Sequence, residues 1–256
     1  MKTIVIANQK GGVGKTAMLV HLAFYLSELG VKTVVVDLDV QGNTSQTLDR
    51  YKSELSAAEL IKGEKVPGVV FKEKEIETLC LIPSESRLAD IDNLSLGEAA
   101  KNIRAGLEAL AANGFEICLV DTPPSLGHTM VSPLYSADYV LSPIDMSIFA
   151  ISGLKLMVKT IQNARKVNKK LKFLGMLPNR IDKRLPTHME QLRKIREAYG
   201  DAVIPLEMYQ RSMIEQALAL KTPVWSIKGN STARKTGREL KKIFDVILDR
   251  VGVKHG

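Results

Sequence analysis

The chain has 256 residues, of which 45% are apolar and 25% charged, and a formal net charge of +8. This length can bury the core of one α/β domain, and no apolar run approaches the roughly 20 residues that span a bilayer. The two cysteines, Cys80 and Cys118, lie in apolar runs and make neither a metal cluster nor a disulfide framework, so they are expected to be buried and inert in a reducing cytoplasm.

The first apolar run, Thr3-Ile4-Val5-Ile6-Ala7, predicts a buried strand. It begins so near Met1 that no signal peptide is expected. Lys10-Gly11-Gly12-Val13-Gly14-Lys15-Thr16 follows, then an apolar helical stripe over Met18 to Leu29. Strand, glycine-rich loop and helix form the setting that a phosphate-binding loop needs. The glycines let backbone N–H groups converge on an anion, and the helix adds its unpaired amides and positive dipole end. Lys15 supplies a mobile cation for the outer phosphates, and the Thr16 hydroxyl suits Mg²⁺. Lys10 is the odd residue. Gln9 takes the place of the usual first glycine, and Lys10 then puts a second cation at the mouth. That arrangement makes sense only if Lys10 faces phosphate, from this subunit or another.

Val31 to Asp37 predicts the second strand, rich in β-branched residues as in sheets covered on both faces. It ends in Asp37-Leu38-Asp39-Val40-Gln41-Gly42-Asn43. A short helix over Leu55 to Lys62, a turn at Pro67-Gly68, a strand at Leu79 to Ile82 and a helix over Glu98 to Ala112 come next. The strand from Phe115 to Val120 runs into Asp121-Thr122-Pro123-Pro124-Ser125. An apolar strand followed by Asp is the pattern of a carboxylate that holds magnesium-bound water. Tyr139 to Ile144 and Lys172 to Leu177 predict further strands, separated by a helix over Ser152 to Val167. A helix over Thr187 to Ala198, a short strand reaching Ile204-Pro205, and helices over Ile214 to Leu220 and Thr232 to Val251 complete the pattern.

Strands alternating with helices predict an α/β fold: a doubly wound, mostly parallel sheet flanked by helices, of P-loop NTPase type, in a single domain over residues 1–256. Taken singly, Asp37, Asp39 and Asp121 read better as turn or helix caps. Together at the carboxyl ends of strands, they sit where such sheets bind ligands.

The stretches KGGVGKT, DLDVQGN and LVDTPPS together resemble the ParA family within the ParA/MinD class of deviant P-loop ATPases. PSESRLADID and VIPLEMYQRSMIEQALALKTPV carry the resemblance over essentially the whole chain. It implies an ATPase, slow without its partner, that uses ATP and Mg²⁺. Lys10, Gly11, Gly12, Val13, Gly14, Lys15, Thr16 and Ala17 would bind the nucleotide, with Asn179 and backbone around Pro205 at its base. Thr16 would ligate Mg²⁺ and Asp121 would hold it through water. Lys10, Lys15 and Asp39 would be the catalytic set. Lys15 would contact phosphates, Asp39 would orient the attacking water, and Lys10 would reach across an ATP-dependent, nucleotide-sandwiched homodimer. Ala17, Val40, Leu206 and Gln216 depart from the family pattern, and none removes a group that hydrolysis needs.

Residues 151–256 carry 23 Lys+Arg against 9 Asp+Glu, whereas residues 1–150 carry 13 against 19. A basic half beside an acidic half fits a face that meets a polyanion, and fits ordinary solvated helices about as well. ParA proteins bind DNA without sequence preference when dimerised. That implies contacts from Arg184, Arg211, Arg234, Lys235, Arg238, Lys241 and Lys242, a cytoplasmic, nucleoid-associated location, and a ParB-like or other activating partner protein. Lys166, Lys169, Lys170 and Lys172 read equally as a solvated face.

Spacings of three and four put Arg234, Arg238, Lys241 and Lys242 broadly on one side of the last helix. The opposite stripe, Leu240, Ile243, Phe244, Ile247, Leu248 and Val251, reads as packing on the sheet in preference to the membrane attachment of MinD-like relatives. A protein assembly is an alternative cargo. Redox or cluster work would need cysteines placed to bridge a dimer or paired as Cys-x-x-Cys, and ligase chemistry would not need Lys10. With no helix-turn-helix segment ahead of Met1, operator-specific repression is not expected.

Overall fold

The computed structural model describes residues 1–64, 78–147 and 150–253, and the turn expected at Pro67-Gly68 falls outside them. Among the described residues six strands form one sheet: β1 (Lys2–Ile6), β2 (Thr33–Asp37), β3 (Leu79–Ile82), β4 (Ile117–Asp121), β5 (Tyr139–Ile144) and β6 (Lys172–Pro178). Their order is β3-β2-β4-β1-β5-β6, and every pairing is parallel. Parallel neighbours need crossovers, and helices supply them. These are α1 (Lys15–Glu28), α2 (Asn43–Thr47), α3 (Ala57–Lys62), α4 (Leu96–Ala112), α5 (His128–Val131), α6 (Ala150–Val167), α7 (Pro186–Tyr199), α8 (Ser212–Ala219) and α9 (Ser231–Val251).

The period of two along each strand sorts its side chains onto two cores. Ile4, Ile6, Val35, Leu79, Leu81, Ile117 and Leu119 face α1 and α9. Val5, Val34, Val36, Cys80, Ile82, Cys118 and Val120 face α3 and α4. Both cysteines are free and buried, and burial pushes the Cys80 thiol up to about 12 and the Cys118 thiol up as well. Unreactive thiols in apolar surroundings are what the sequence suggested.

The helix ends follow local chemistry. Ser56 with Glu59, and Ser95 with Glu98, close capping boxes at α3 and α4. Asn230 caps α9 by accepting from the Ala233 N–H at 3.0 Å. The apolar stripe of α9 is packed: Leu240, Ile243, Phe244, Ile247, Leu248 and Val251 are each at most 2% exposed. At roughly 2 kcal/mol per buried side chain, that stripe contributes about 10 kcal/mol before the entropy of ordering the helix. The stripe is spent on the core, so it leaves no apolar face for lipid.

One expected element is corrected. Ile204-Pro205 does not end a seventh strand; Val203 makes only an isolated parallel bridge to Met176. Ile204 donates to the Met176 carbonyl at 2.8 Å, but Pro205 has no N–H with which to continue the ladder. No helix among the described residues is long and apolar enough to cross a membrane.

Candidate nucleotide site

The carboxyl ends of four strands lead to one cavity of about 560 Å³. β1 delivers the glycine loop, β2 the Asp39 loop, β4 the Pro124 loop that follows Asp121, and β6 Asn179 and Arg180, while Asp145, directly after β5, lies outside the lining. Gly11, Gly12, Gly14, Lys15, Thr16, Ala17, Asp39 and Asn179 line the cavity. Gly14 has φ 89°, and a Cβ built there would lie 2.3 Å from the Asn179 amide nitrogen, so only glycine fits. Val13 is buried behind the loop, and its carbonyl accepts from Asn179 Nδ2 at 2.7 Å.

Lys15 is 7% exposed, and among the described residues its ammonium's one hydrogen bond is to the Lys10 carbonyl at 3.5 Å. Burial lowers its proton affinity, while Asp121 and Asp39 partly restore it. A buried cation so poorly paired is poised for an anion.

Asp121 is 1% exposed. Its Oδ2 accepts from Thr16 Oγ1 at 2.8 Å and from Thr44 Oγ1 at 2.7 Å, while its buried Oδ1 has no hydrogen-bond partner among the described residues. Burial raises its pKa against those hydrogen bonds and the Lys15 charge. An orphaned carboxylate oxygen beside a threonine hydroxyl fits a hard cation held through water.

Asp37 is fully buried and does not face the cavity. Its carboxylate accepts from Ser45 N at 2.8 Å, Ser45 Oγ at 2.6 Å and Asp39 N at 3.1 Å. Burial, with the Asp121 charge second, lifts it to about 7. Ser45 Oγ in turn accepts from Ser84 N at 2.8 Å, and Ser84 Oγ donates to the Asp39 carbonyl at 2.6 Å. Asp37 therefore fixes the loop that aims Asp39, whose own Oδ1 accepts from Gln41 N at 3.0 Å.

The structure adds detail at four of the expected positions. Within one chain the Lys10 ammonium pairs with Asp145 and donates to Ser147 Oγ at 2.6 Å. A carboxylate on the same chain, at the end of β5, neutralises the second cation that had demanded phosphate. Pro205 is not among the cavity-lining residues; Met208, Tyr209, Gln210 and Arg211 form that wall, and the Pro205 carbonyl accepts from Arg196 at 3.1 Å. Arg211 is half-buried there, between Glu239 at 3.4 Å and the Tyr209 ring, not on open surface. Arg234, Arg238 and Lys241 share a groove of about 410 Å³ with Trp225, but Lys235 and Lys242 do not line it. A step of one residue along α9 turns the side chain by about 100°, so Lys242 leaves the row that Lys241 joins.

Lys241 also pairs with Glu28 at 2.7 Å and covers the Trp225 ring. Arg184 is 89% exposed at its side chain and folds back on Asp182 at 2.7 Å, which holds that carboxyl down at about 2.

The sequence reading missed Thr44, Asp145, Ser147 and Arg180. Asp145 carried the same signal as Asp121, a carboxylate at the end of an apolar strand. Thr44 and Ser147 carried none.

A buried lysine on a glycine loop, a helix N-terminus and a carboxylate with a threonine hydroxyl define a P-loop nucleoside triphosphatase with a deviant loop. A family model described as an AAA domain matches residues 1–173. The protein IncC of Escherichia coli is 42% identical over 99% of this chain and 70% of its own length. The chromosome partitioning protein ParA of Caulobacter vibrioides is 30% identical over 94% of each. McdA of Cyanothece, solved in complex with ATP, superimposes with a TM-score of 0.83 and 22% identity over 100% of this chain and 98% of its own, a likeness of fold. The chain belongs to the ParA family of partition ATPases.

Proposed function

We propose that residues 1–256 act as one ATPase domain whose Mg²⁺·ATP-bound homodimer grips DNA without sequence preference and releases it when a ParB-like partner stimulates hydrolysis. The observation that carries this reading is a cavity lined by the glycine loop, Lys15, Thr16 and Asp39, with Asp121 accepting from Thr16 at 2.8 Å and acting on the Lys15 charge. Lys15 and the loop amides bind the β- and γ-phosphates. Thr16 and Asp121 are the groups that would hold Mg²⁺, which when bound neutralises charge on the phosphate oxygens. Asp39, aimed by Asp37 and Ser84, orients the attacking water. Lys10 of the partner subunit approaches the transferring phosphate and stabilises the charge that builds there.

Arg184 and the Arg234–Arg238–Lys241 groove supply cations for DNA phosphates, so binding weakens steeply with salt. The chain then works in the cytoplasm, on the nucleoid. The buried stripe of α9 supports this reading over a MinD-like membrane role.

The test is a DNA shift assay with ATP, ADP and no nucleotide, at rising salt. Retardation is expected with ATP alone and is expected to fade with salt. Lys15→Ala should remove it. DNA affinity that is equal in ADP, or undiminished in Lys15→Ala, refutes the ATP-dependent dimer as the binding form.

A further inference from the structure

Among the described residues only Arg180 (φ 56°) and Lys221 (φ 52°) are non-glycine residues in the left-handed region. For a long side chain such a backbone costs about 1 kcal/mol and needs a reason. Its neighbours impose it. Asn179 is buried beneath the glycine loop, while Ile181 N donates to the Met208 carbonyl at 3.1 Å and bridges to Tyr209. The reversal between them throws the Arg180 side chain over the loop. There one guanidinium nitrogen donates to the Gly12 carbonyl at 3.2 Å, and the other lies 3.7 Å from Glu215 on α8.

A trans peptide is planar, so fixing a carbonyl also fixes the N–H of the next residue in the opposite direction. Asn179 on the Val13 carbonyl thus sets the direction of the Gly14 N–H. Arg180 on the Gly12 carbonyl sets that of the Val13 N–H. The two peptides differ in how much else holds them. Gly14 is crowded by the Asn179 side chain, whereas nothing lies within 4 Å of a Cβ built on Gly12. Gly12 also sits at φ 73°, open to rotation. Its peptide needs an external hold, and Arg180 is the side chain that provides one.

We infer that Arg180 is a positioning residue for the nucleotide phosphates: braced by Glu215, it locks the Gly12–Val13 peptide so that the Val13 N–H faces the anion. This deepens the ATPase reading and rests on the glycine loop binding the triphosphate. It also ties the loop to α8, which lies on the far wall of the cavity.

The test uses Arg180→Gly, which removes the brace and relieves the left-handed strain at once. Binding of ATP and GTP and thermal melting without nucleotide are compared with wild type. The expected result is a melting temperature equal to or above wild type, with ATP and GTP both bound about tenfold more weakly. Arg180→Lys, which keeps a charge but cannot span Gly12 and Glu215 as a fork, should recover only part of the loss. Unchanged affinity in Arg180→Gly overturns the inference. So does a lowered melting temperature that accounts for the weaker binding, or a loss confined to ATP, since a brace on the loop backbone is blind to the base. Failure of the wild type to bind either nucleotide would instead remove the ATPase reading beneath it.

Discussion

Asp145→Asn is expected to tighten the ATP-bound dimer. Lys10 is held on its own chain by Asp145 and Ser147. To serve the nucleotide of a partner it must first leave both, so release of this pair opposes dimerisation. The Lys10 side chain is 41% exposed and that of Asp145 is 24% exposed, so water already screens the pair. A pair of that exposure is worth about 1 kcal/mol at most. Asparagine keeps the shape and removes the charge. A two-fold dimer releases two such pairs, so the gain is about 2 kcal/mol, or roughly thirtyfold in the dimer dissociation constant. Sedimentation velocity with a non-hydrolysable ATP analogue measures it directly, over a range of protein concentrations. Lys10→Ala supplies the control: added to Asp145→Asn it should erase the gain, because both changes act through one contact. A dimer unchanged or weakened in Asp145→Asn would refute the reasoning, and so would a gain that survives without Lys10.

Two further outcomes follow from the buried carboxylates. The folded Asp37 carboxyl is raised from 3.8 to about 7, so between those values the native state holds a proton that the unfolded chain has lost. Its contribution is therefore most favourable in acid and declines as pH rises toward 7. Asp37→Asn cannot ionise, so its melting temperature relative to wild type should improve from pH 4.5 to pH 8; a difference independent of pH would refute this. Thr44→Val removes one hydroxyl from Asp121 Oδ2 and should cost about 1–2 kcal/mol without ligand. That cost should shrink with Mg²⁺ and ATP, which give the carboxylate another partner; a gap that widens with ligand would count against Asp121 as the group facing the metal.

Much of this site was legible in the sequence because its signals are local. The glycine loop needs only strand, glycines and helix in succession, and α1 begins at Lys15 directly after it. Asp39 and Asp121 announced themselves as acids ending β-branched runs. The fold followed from the same alternation, down to β3 and β5, whose bounds agree with the apolar runs. What escaped was set by tertiary placement. The Asn-Thr-Ser-Gln-Thr stretch of α2 has poor helix propensity, and α2 starts behind Gly42 in the left-handed region with no side-chain cap. Thr44 matters because α2 lays it against Asp121, 77 positions away. Asp145 matters because β5 lies beside β1, so that their loops meet. No period or spacing encodes that adjacency. The same holds for the pocket wall at Met208 to Arg211, which follows directly on the Pro205 to Glu207 backbone that the family pattern points to.

In the proposed dimer, the pairing of charges lets one loop act both as a binding site and as a dimer sensor. Three acids at the ends of the strands are already engaged: Asp37 with Ser45, Asp121 with Thr16 and Thr44, and Asp145 with Lys10. Lys15 has the poorest pairing of the two cations. A triphosphate is strongly anionic, and Lys15 with the loop amides neutralises only part of it. The remaining charge lies within reach of Asp39 and Asp121, where it is repelled. Two sources can offset it, a divalent cation at the open oxygen of Asp121 and a second lysine. Lys10 is engaged with Asp145 in each chain, so in the proposed dimer both pairs must open before a lysine from the second subunit completes the balance. In that dimer, nucleotide binding and dimerisation are coupled through one charge deficit: Lys15→Ala should lose both, whereas Lys10→Ala should keep ATP binding and lose only the contribution that the partner's lysine makes to the dimer.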